Sequence, residues 1–207
     1  MSKHKPQTVD LLVTNGTLIT MDVQRRIYAR GAVAVQDGVI AAVGPAAQIE
    51  GAYQARRVID AGGGVVHPGF VDAHVHLSQH LGRGTIPDNW PEEREHDQWL
   101  PYWTQMEEED AYCSALLAGL EMVRNGTTTC CDNGGRFEAE LNAGAMAEVG
   151  LRCMVGEVCW DRPPKPGVGV GDTAACLARL ERLLRRFQKN KHSASSRRGF
   201  HVDKPLG

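Results

Sequence analysis

"GFVDAHVHL", residues 69–77, closes an apolar run on two histidines one residue apart. Side chains alternate along a strand, so His74 and His76 point to the same side. Two neutral imidazoles fixed side by side supply half of a tetrahedral metal site, at little entropic cost because the strand already holds both. A metal there would bring the pKa of bound water towards neutrality, giving a hydroxide able to attack an electrophilic carbon. A Pro68-Gly69 bend precedes the strand. A long polar and aromatic stretch, from Ser78 to Trp103, follows it and is long enough to roof a site.

The chain on either side of this stretch differs in rhythm. Towards the N-terminus, "DLLVTNGTLITMD" is two apolar runs around Asn15-Gly16, which predicts a hairpin. "GAVAVQDGVIAAVG" repeats the pattern around Asp37-Gly38, and "ARRVIDA" is a further short strand. Residues 1–64 are therefore expected to form a small, mostly antiparallel β domain. Beyond it, a strand over about Val65 to Val75 is followed by a capping box at Thr104 and Glu107 that opens an acidic helix start. Tyr112, Leu116, Gly119 and Val123 recur at helical spacing, and Asn125-Gly126 ends that helix. "TTTCCD", residues 127–132, reads as a strand. Phe137, Leu141, Ala145 and Val149 mark a helix stopped by Gly150, "LRCMVGEVCW" a third strand, and Asp172 the cap of a helix carrying Leu177, Leu180, Leu184 and Phe187. The order β-α-β-α-β-α with apolar strands argues for a parallel sheet covered by helices over residues 65–187, with sites at the C-terminal ends of the strands. His74, His76, Asp132 and Glu157 all stand at such ends.

Composition narrows the function classes. The 207 residues are 42% hydrophobic and 23% charged, with a formal net charge of −2, so nothing pushes the whole chain towards nucleic acid or a membrane. No apolar run approaches membrane-spanning length, and "MSKHKPQTVD" lacks the apolar core of a secretory signal. The six cysteines show no CxxC spacing, which reads as reduced, buried thiols in a cytoplasmic protein. After Phe187 the periodicity stops, and residues 188–207, rich in Lys, Arg and Ser, read as a basic disordered tail.

"VVHPGFVDAHVHL" followed by "GRG" resembles the first barrel strand of the amidohydrolase superfamily, in its cytosine- and guanine-deaminase-like and triazine-hydrolase-like branch. The resemblance continues through "QWLPYWTQMEEEDAYCSALLAGLEMVRNGTTTCCD" and "AEVGLR", and covers about residues 9–187. It implies an α/β fold, a (β/α)8 barrel beside a β-sandwich built from both chain ends. It also implies Zn2+ or Fe2+ as cofactor and hydrolysis of C–N bonds, often deamination of purine, pyrimidine or triazine rings. By position, His74 and His76 match the first-strand metal ligands, and Gln79 falls where some purine-acting members contact substrate. The expected partner is a small-molecule substrate, with no nucleic acid and no membrane. A homo-oligomer is left open, since family members often self-associate.

The departure from the family's pattern matters as much. Its further histidines, general acid/base glutamate and metal-binding aspartate come from the fifth, sixth and eighth strands, whereas three strand–helix units are legible here. No catalytic residue is assigned, the metal site is expected to be incomplete, and the chain alone is expected to have little activity. The switch at about residue 188 raises an alternative reading, a truncated or frame-altered product acting at most as an interaction module. Among the remaining candidates, His67 beside Pro68 reads as structural and His96 as part of a solvated charged run. His192 and His201 fall outside apolar strands. His80, Asp132 and Glu157 keep open roles, and the adjacent Cys130 and Cys131 face opposite ways and cannot clamp one ion.

Overall fold

The computed structural model describes residues 5–86, 95–137, 139–162 and 171–188. The basic segment from Lys189 onward, with His192 and His201, lies outside the described residues, as does the side chain of His96. The chain divides after Pro68 into two compact units.

In the first unit, β1 (Gln7–Ile19), β2 (Ile27–Gln36) and β3 (Val39–Pro45) pair antiparallel in the order β3-β2-β1. Asp37 and Gly38 both take left-handed backbone angles, φ 52° and 70°, and form the tight turn expected between β2 and β3. The other expected hairpin is not formed. Asn15 also has a left-handed φ, 56°, but β1 runs on through Asn15-Gly16, with register shifts against β2 between Val13, Gly16 and Leu18. The dipeptide makes a bulge rather than a reversal, because the strand on both sides of it pairs with the same neighbour. A short helix, α1 (Ala46–Ala52), carries the chain across so that β4 (Tyr53–Asp60) runs parallel to β1, and β5 (Val65–Val66) adds a second parallel pairing. The sheet is thus mixed rather than mostly antiparallel. Val9, Leu12, Ala32 and Ala34 from the strands and Ile49 from α1 form its core.

The apolar run at residues 65–75 is two strands, not one. Pro68 cannot donate to a ladder, and a Cβ at Gly69 would come within 2.2 Å of the Thr128 side chain. The chain therefore leaves the first sheet after β5 and starts a second at β6 (Phe70–Val75). This sheet is parallel, in the order β6-β7-β8, with β7 at Thr127–Asp132 and β8 at Arg152–Val155. After β6 come a 3-10 turn (Leu77–Gly82), a π turn (Glu95–Trp99), α2 (Leu100–Gln105) and α3 (Glu108–Arg124). Helix α4 (Ala139–Val149) joins β7 to β8, and α5 (Thr173–Gln188) follows β8. These are three successive β/α units of a parallel barrel.

The capping box sits three residues later than expected. Glu107 accepts from the backbone of Asp110 while the Asp110 carboxylate accepts the Glu107 N–H at 3.0 Å. The Thr104 hydroxyl instead donates back to the carbonyls of Leu100 and Pro101 within α2. Three carbonyls at the end of α2, those of Trp103, Thr104 and Met106, converge on Arg136 Nη1.

Between helices and sheet lies a core of Leu77, Ala115, Ala118, Cys130, Ala145, Met146, Leu151 and Cys153. The alanines and Gly119 bring α3 close to α4, so close that a Cβ at Gly119 would stand 2.7 Å from Met146 Cε. Full burial of a side chain such as Leu77 or Met146 is worth about 1.5–3 kcal/mol. No disulfide links the six cysteines: Cys130, Cys153 and Cys176 are buried, Cys131 and Cys159 half-buried, and Cys113 is exposed, against the expectation of buried thiols. Among the described residues no helix is long and apolar enough to cross a membrane.

Candidate functional site

The C-terminal end of β6 is shaped by its register against β7. Asp72 pairs with Cys130 and Val75 with Asp132, so β6 carries one more residue than β7 between those pairs. This bulge, at Ala73-His74, re-aims the side chains that follow. Val75 faces the core, and the rings of His74 and His76 lie beside one another, centroids 5.4 Å apart and planes inclined at 76°.

The turn after β7 touches this strand end repeatedly. The Asn133 N–H donates to the Val75 carbonyl at 2.8 Å. The Asn133 side-chain amide sits at the edge of the His74 ring, 2.8 Å from Nδ1 and 3.0 Å from Nε2. The Gly134 carbonyl lies 2.8 Å from His76 Nδ1. A carbonyl only accepts, so a neutral His76 carries its proton on Nδ1 and leaves the Nε2 lone pair available. Asp132 is 3% exposed; one carboxylate oxygen accepts the Leu77 N–H at 3.2 Å and the other the Asn142 amide at 2.7 Å. Burial raises its pKa above the usual carboxylate range, against the lowering effect of those donors, the Gly134 N–H and the nearby His76. The backbone of Leu77 is held on its carbonyl side too, where the fully buried Ser114 hydroxyl donates to the Leu77 carbonyl at 2.9 Å and accepts the Leu81 N–H at 3.1 Å.

The other candidates resolve into distinct roles. Gln79 Oε1 accepts from Trp99 Nε1 at 3.3 Å, which ties the 3-10 turn to a stack of Trp99 on Trp103, centroids 4.9 Å apart. His80 Nε2 lies 2.8 Å from Glu121, which Arg83 also pairs through both its terminal nitrogens. Glu157 accepts the Ala139 N–H at the start of α4 and pairs with Arg179; burial raises its pKa, opposed by both partners. His67 stands in the other unit, with Nδ1 2.6 Å from the Pro68 carbonyl. Cys130 is packed in the core. Asn133, Gly134, Ser114 and Asn142 escaped the sequence reading. The signal that could have found the first two is the turn dipeptide Asn-Gly directly after a strand that ends in aspartate.

The donor set fits a divalent transition metal in part. Two imidazoles lie adjacent, and a backbone carbonyl on Nδ1 of His76 is the kind of contact that orients a ligating histidine. Among the described residues no group of three or more His, Cys, Asp or Glu is placed to hold an ion.

A parallel β/α sheet with polar groups gathered at the C-terminal ends of its strands places the chain among barrel proteins that build their sites there. Residues 65–201 match the amidohydrolase family, and residues 31–53 an imidazolonepropionase-like composite domain of bacteria. The chain is 41% identical over 154 residues to a 5-methylthioadenosine/S-adenosylhomocysteine deaminase of Syntrophobacter fumaroxidans, covering 74% of this chain and 35% of the relative. It is 37% identical over 146 residues to a 5'-deoxyadenosine deaminase of Methanosarcina mazei, covering 70% and 32%. An adenosine deaminase from Xanthomonas campestris with bound zinc superposes with a TM-score of 0.79 at 27% identity, over 90% of this chain and 42% of that one. The chain belongs to the amidohydrolase family. It spans 32% to 42% of the length of these relatives.

Proposed function

We propose that His74 and His76 supply two nitrogen ligands to a zinc ion in an aminohydrolase acting on a 6-aminopurine nucleoside. The observation that carries this reading is the imidazole pair itself, with centroids 5.4 Å apart and His76 Nδ1 engaged by the Gly134 carbonyl. The similarity to methylthioadenosine and deoxyadenosine deaminases supports the substrate class. The reaction would add water at the ring carbon, form a C–O bond and release the amino group as ammonia. A bound zinc supplies Lewis acidity that lets water attack at neutral pH. The chain's own residues hold ligand nitrogens in place through the β7–α4 turn. Gln79, tied to Trp99, stands at the same strand end and is our candidate for contacting the base. With two imidazoles and no third ligand beside them among the described residues, the 207-residue chain by itself should bind metal weakly and turn over little or nothing.

A chimera tests the reading. This chain's residues replace the matched segment of the Syntrophobacter deaminase, and ammonia release from 5-methylthioadenosine is measured together with retained zinc. The expected result is turnover and bound zinc in the chimera, both lost on His74→Ala or His76→Ala. A folded chimera whose zinc and turnover survive both substitutions overturns the assignment. Ammonia release by the isolated chain, abolished by a chelator, would contradict the expectation that it is inactive alone.

A further inference from the structure

We infer that the turn Asp132-Asn133-Gly134 is a positioning segment that sets the tautomer of His76 and the ring orientation of His74. The inference rests on the proposed role of the two histidines as ligands, and it concerns what holds them. Each of the three residues makes its own contact with the end of β6. Asp132 takes the Leu77 N–H, Asn133 takes the Val75 carbonyl through its backbone and the His74 ring through its side chain, and Gly134 offers its carbonyl to His76 Nδ1. The turn is itself held from behind. The Asn142 amide of α4 donates to Asp132, and the Gly156 N–H donates to the Asp132 carbonyl at 2.8 Å. Ser114 of α3 holds the next peptide, through the Leu77 carbonyl. Strand β6, helices α3 and α4 and the start of the loop after β8 thus all bear on the two imidazoles through one buried carboxylate and its neighbours.

The chemistry assigns each residue its part. Free neutral histidine favours a proton on Nε2; a carbonyl facing Nδ1 reverses that preference and exposes the Nε2 lone pair. Asp132 accepts the Leu77 N–H, next to His76, and the Asn142 amide of α4, so its carboxylate anchors the turn whose Gly134 carbonyl faces His76. The Asn133 amide lies against the edge of the His74 ring, 2.8 Å from Nδ1 and 3.0 Å from Nε2, and so restricts how that ring can turn. These are positioning roles, since none of the three residues needs to touch an ion.

The test uses the full chain with 15N-labelled histidine at a pH where the rings are neutral. Long-range proton–nitrogen correlation reads the tautomers, with His74→Gln and His76→Gln spectra assigning the signals. The expected result is His76 protonated at Nδ1 in the metal-free chain. In Asp132→Asn the signal moves towards the ordinary Nε2-protonated form, and in Asn133→Ala the His74 signals shift while His76 holds. Cobalt(II) affinity should fall by about 10- to 100-fold in either variant. A wild-type His76 protonated at Nε2 overturns the inference. So does a folded Asp132→Asn chain with an unchanged tautomer; should that variant not fold, an unaltered His74 signal in Asn133→Ala does the same. A correct tautomer in a wild-type chain whose cobalt affinity matches that of the histidine variants would instead overturn the ligand assignment and leave the positioning intact.

Discussion

Replacing Gly134 by alanine should cost distinctly more than replacing Gly150, although both glycines have nearly the same backbone. Their φ values are 85° and 83°, in the region that L side chains avoid, so each substitution carries a backbone penalty of about 1–2 kcal/mol. The two differ in their surroundings. A Cβ at Gly150 meets nothing within 4 Å, whereas one at Gly134 would lie 2.9 Å from the Gly156 carbonyl oxygen and 3.0 Å from the Val158 nitrogen. Those neighbours are backbone, which yields less readily than a side-chain end, and overpacking of this kind adds about 1–3 kcal/mol. Stiffening of the unfolded chain by alanine is common to both variants and drops out of the comparison. All four tryptophans, Trp90, Trp99, Trp103 and Trp160, belong to the second unit, so urea unfolding followed by their fluorescence reports on that unit. With a slope of about 1–3 kcal/mol per molar urea, the extra loss should place the Gly134→Ala midpoint well below that of Gly150→Ala. Losses equal to within about 0.5 kcal/mol would refute the claim that the turn is packed against the end of β8.

Two more outcomes follow from the same unit. The hydrogen bonds from Arg83 and His80 hold the Glu121 carboxyl at a pKa of about 2, well below its ordinary 4.5. A depressed folded pKa gives stability that is fully present above the unfolded value and is lost as pH falls from about 4.5 towards 2; unfolding midpoints of Glu121→Gln should therefore vary less with pH across that window, and parallel profiles would show that the pair contributes nothing. Met146, 1% exposed between α3 and α4, should cost about 2–5 kcal/mol when cut to alanine, and a loss under about 1 kcal/mol in chemical denaturation would mean that this core is looser than described.

The β/α half of the chain was legible because its strands are bounded by strong punctuation. "TTTCCD" between Asn125-Gly126 and a turn coincides with β7, and Gly150 stops α4 where expected. Local signals failed where two partners competed for them. Asn15-Gly16 has the chemistry of a tight turn, but continuous pairing of β1 with β2 turned it into a bulge. Thr104 and Glu107 match a capping box by spacing, yet Glu107 and Asp110 form the cap, because Thr104 lies inside the preceding helix. At the site, alternation along the strand was enough to put His74 and His76 on one side. The bulge in β6 and the contacts from Asn133 and Gly134 depend on pairing between segments about 59 residues apart, which no local pattern contains. Asp172 was legible as a cap and takes the Ala175 N–H at 2.7 Å. The periodicity of Leu177, Leu180 and Leu184 found the helix, but all three side chains remain exposed.

Zinc titration of the tag-free chain by calorimetry near pH 7.5, beside His74→Ala, His76→Ala and the double variant, bears most directly on the proposed site. One weakly bound zinc per wild-type chain, lost in each single variant, is the predicted result. Indistinguishable titrations of the wild-type and doubly substituted chains would contradict it.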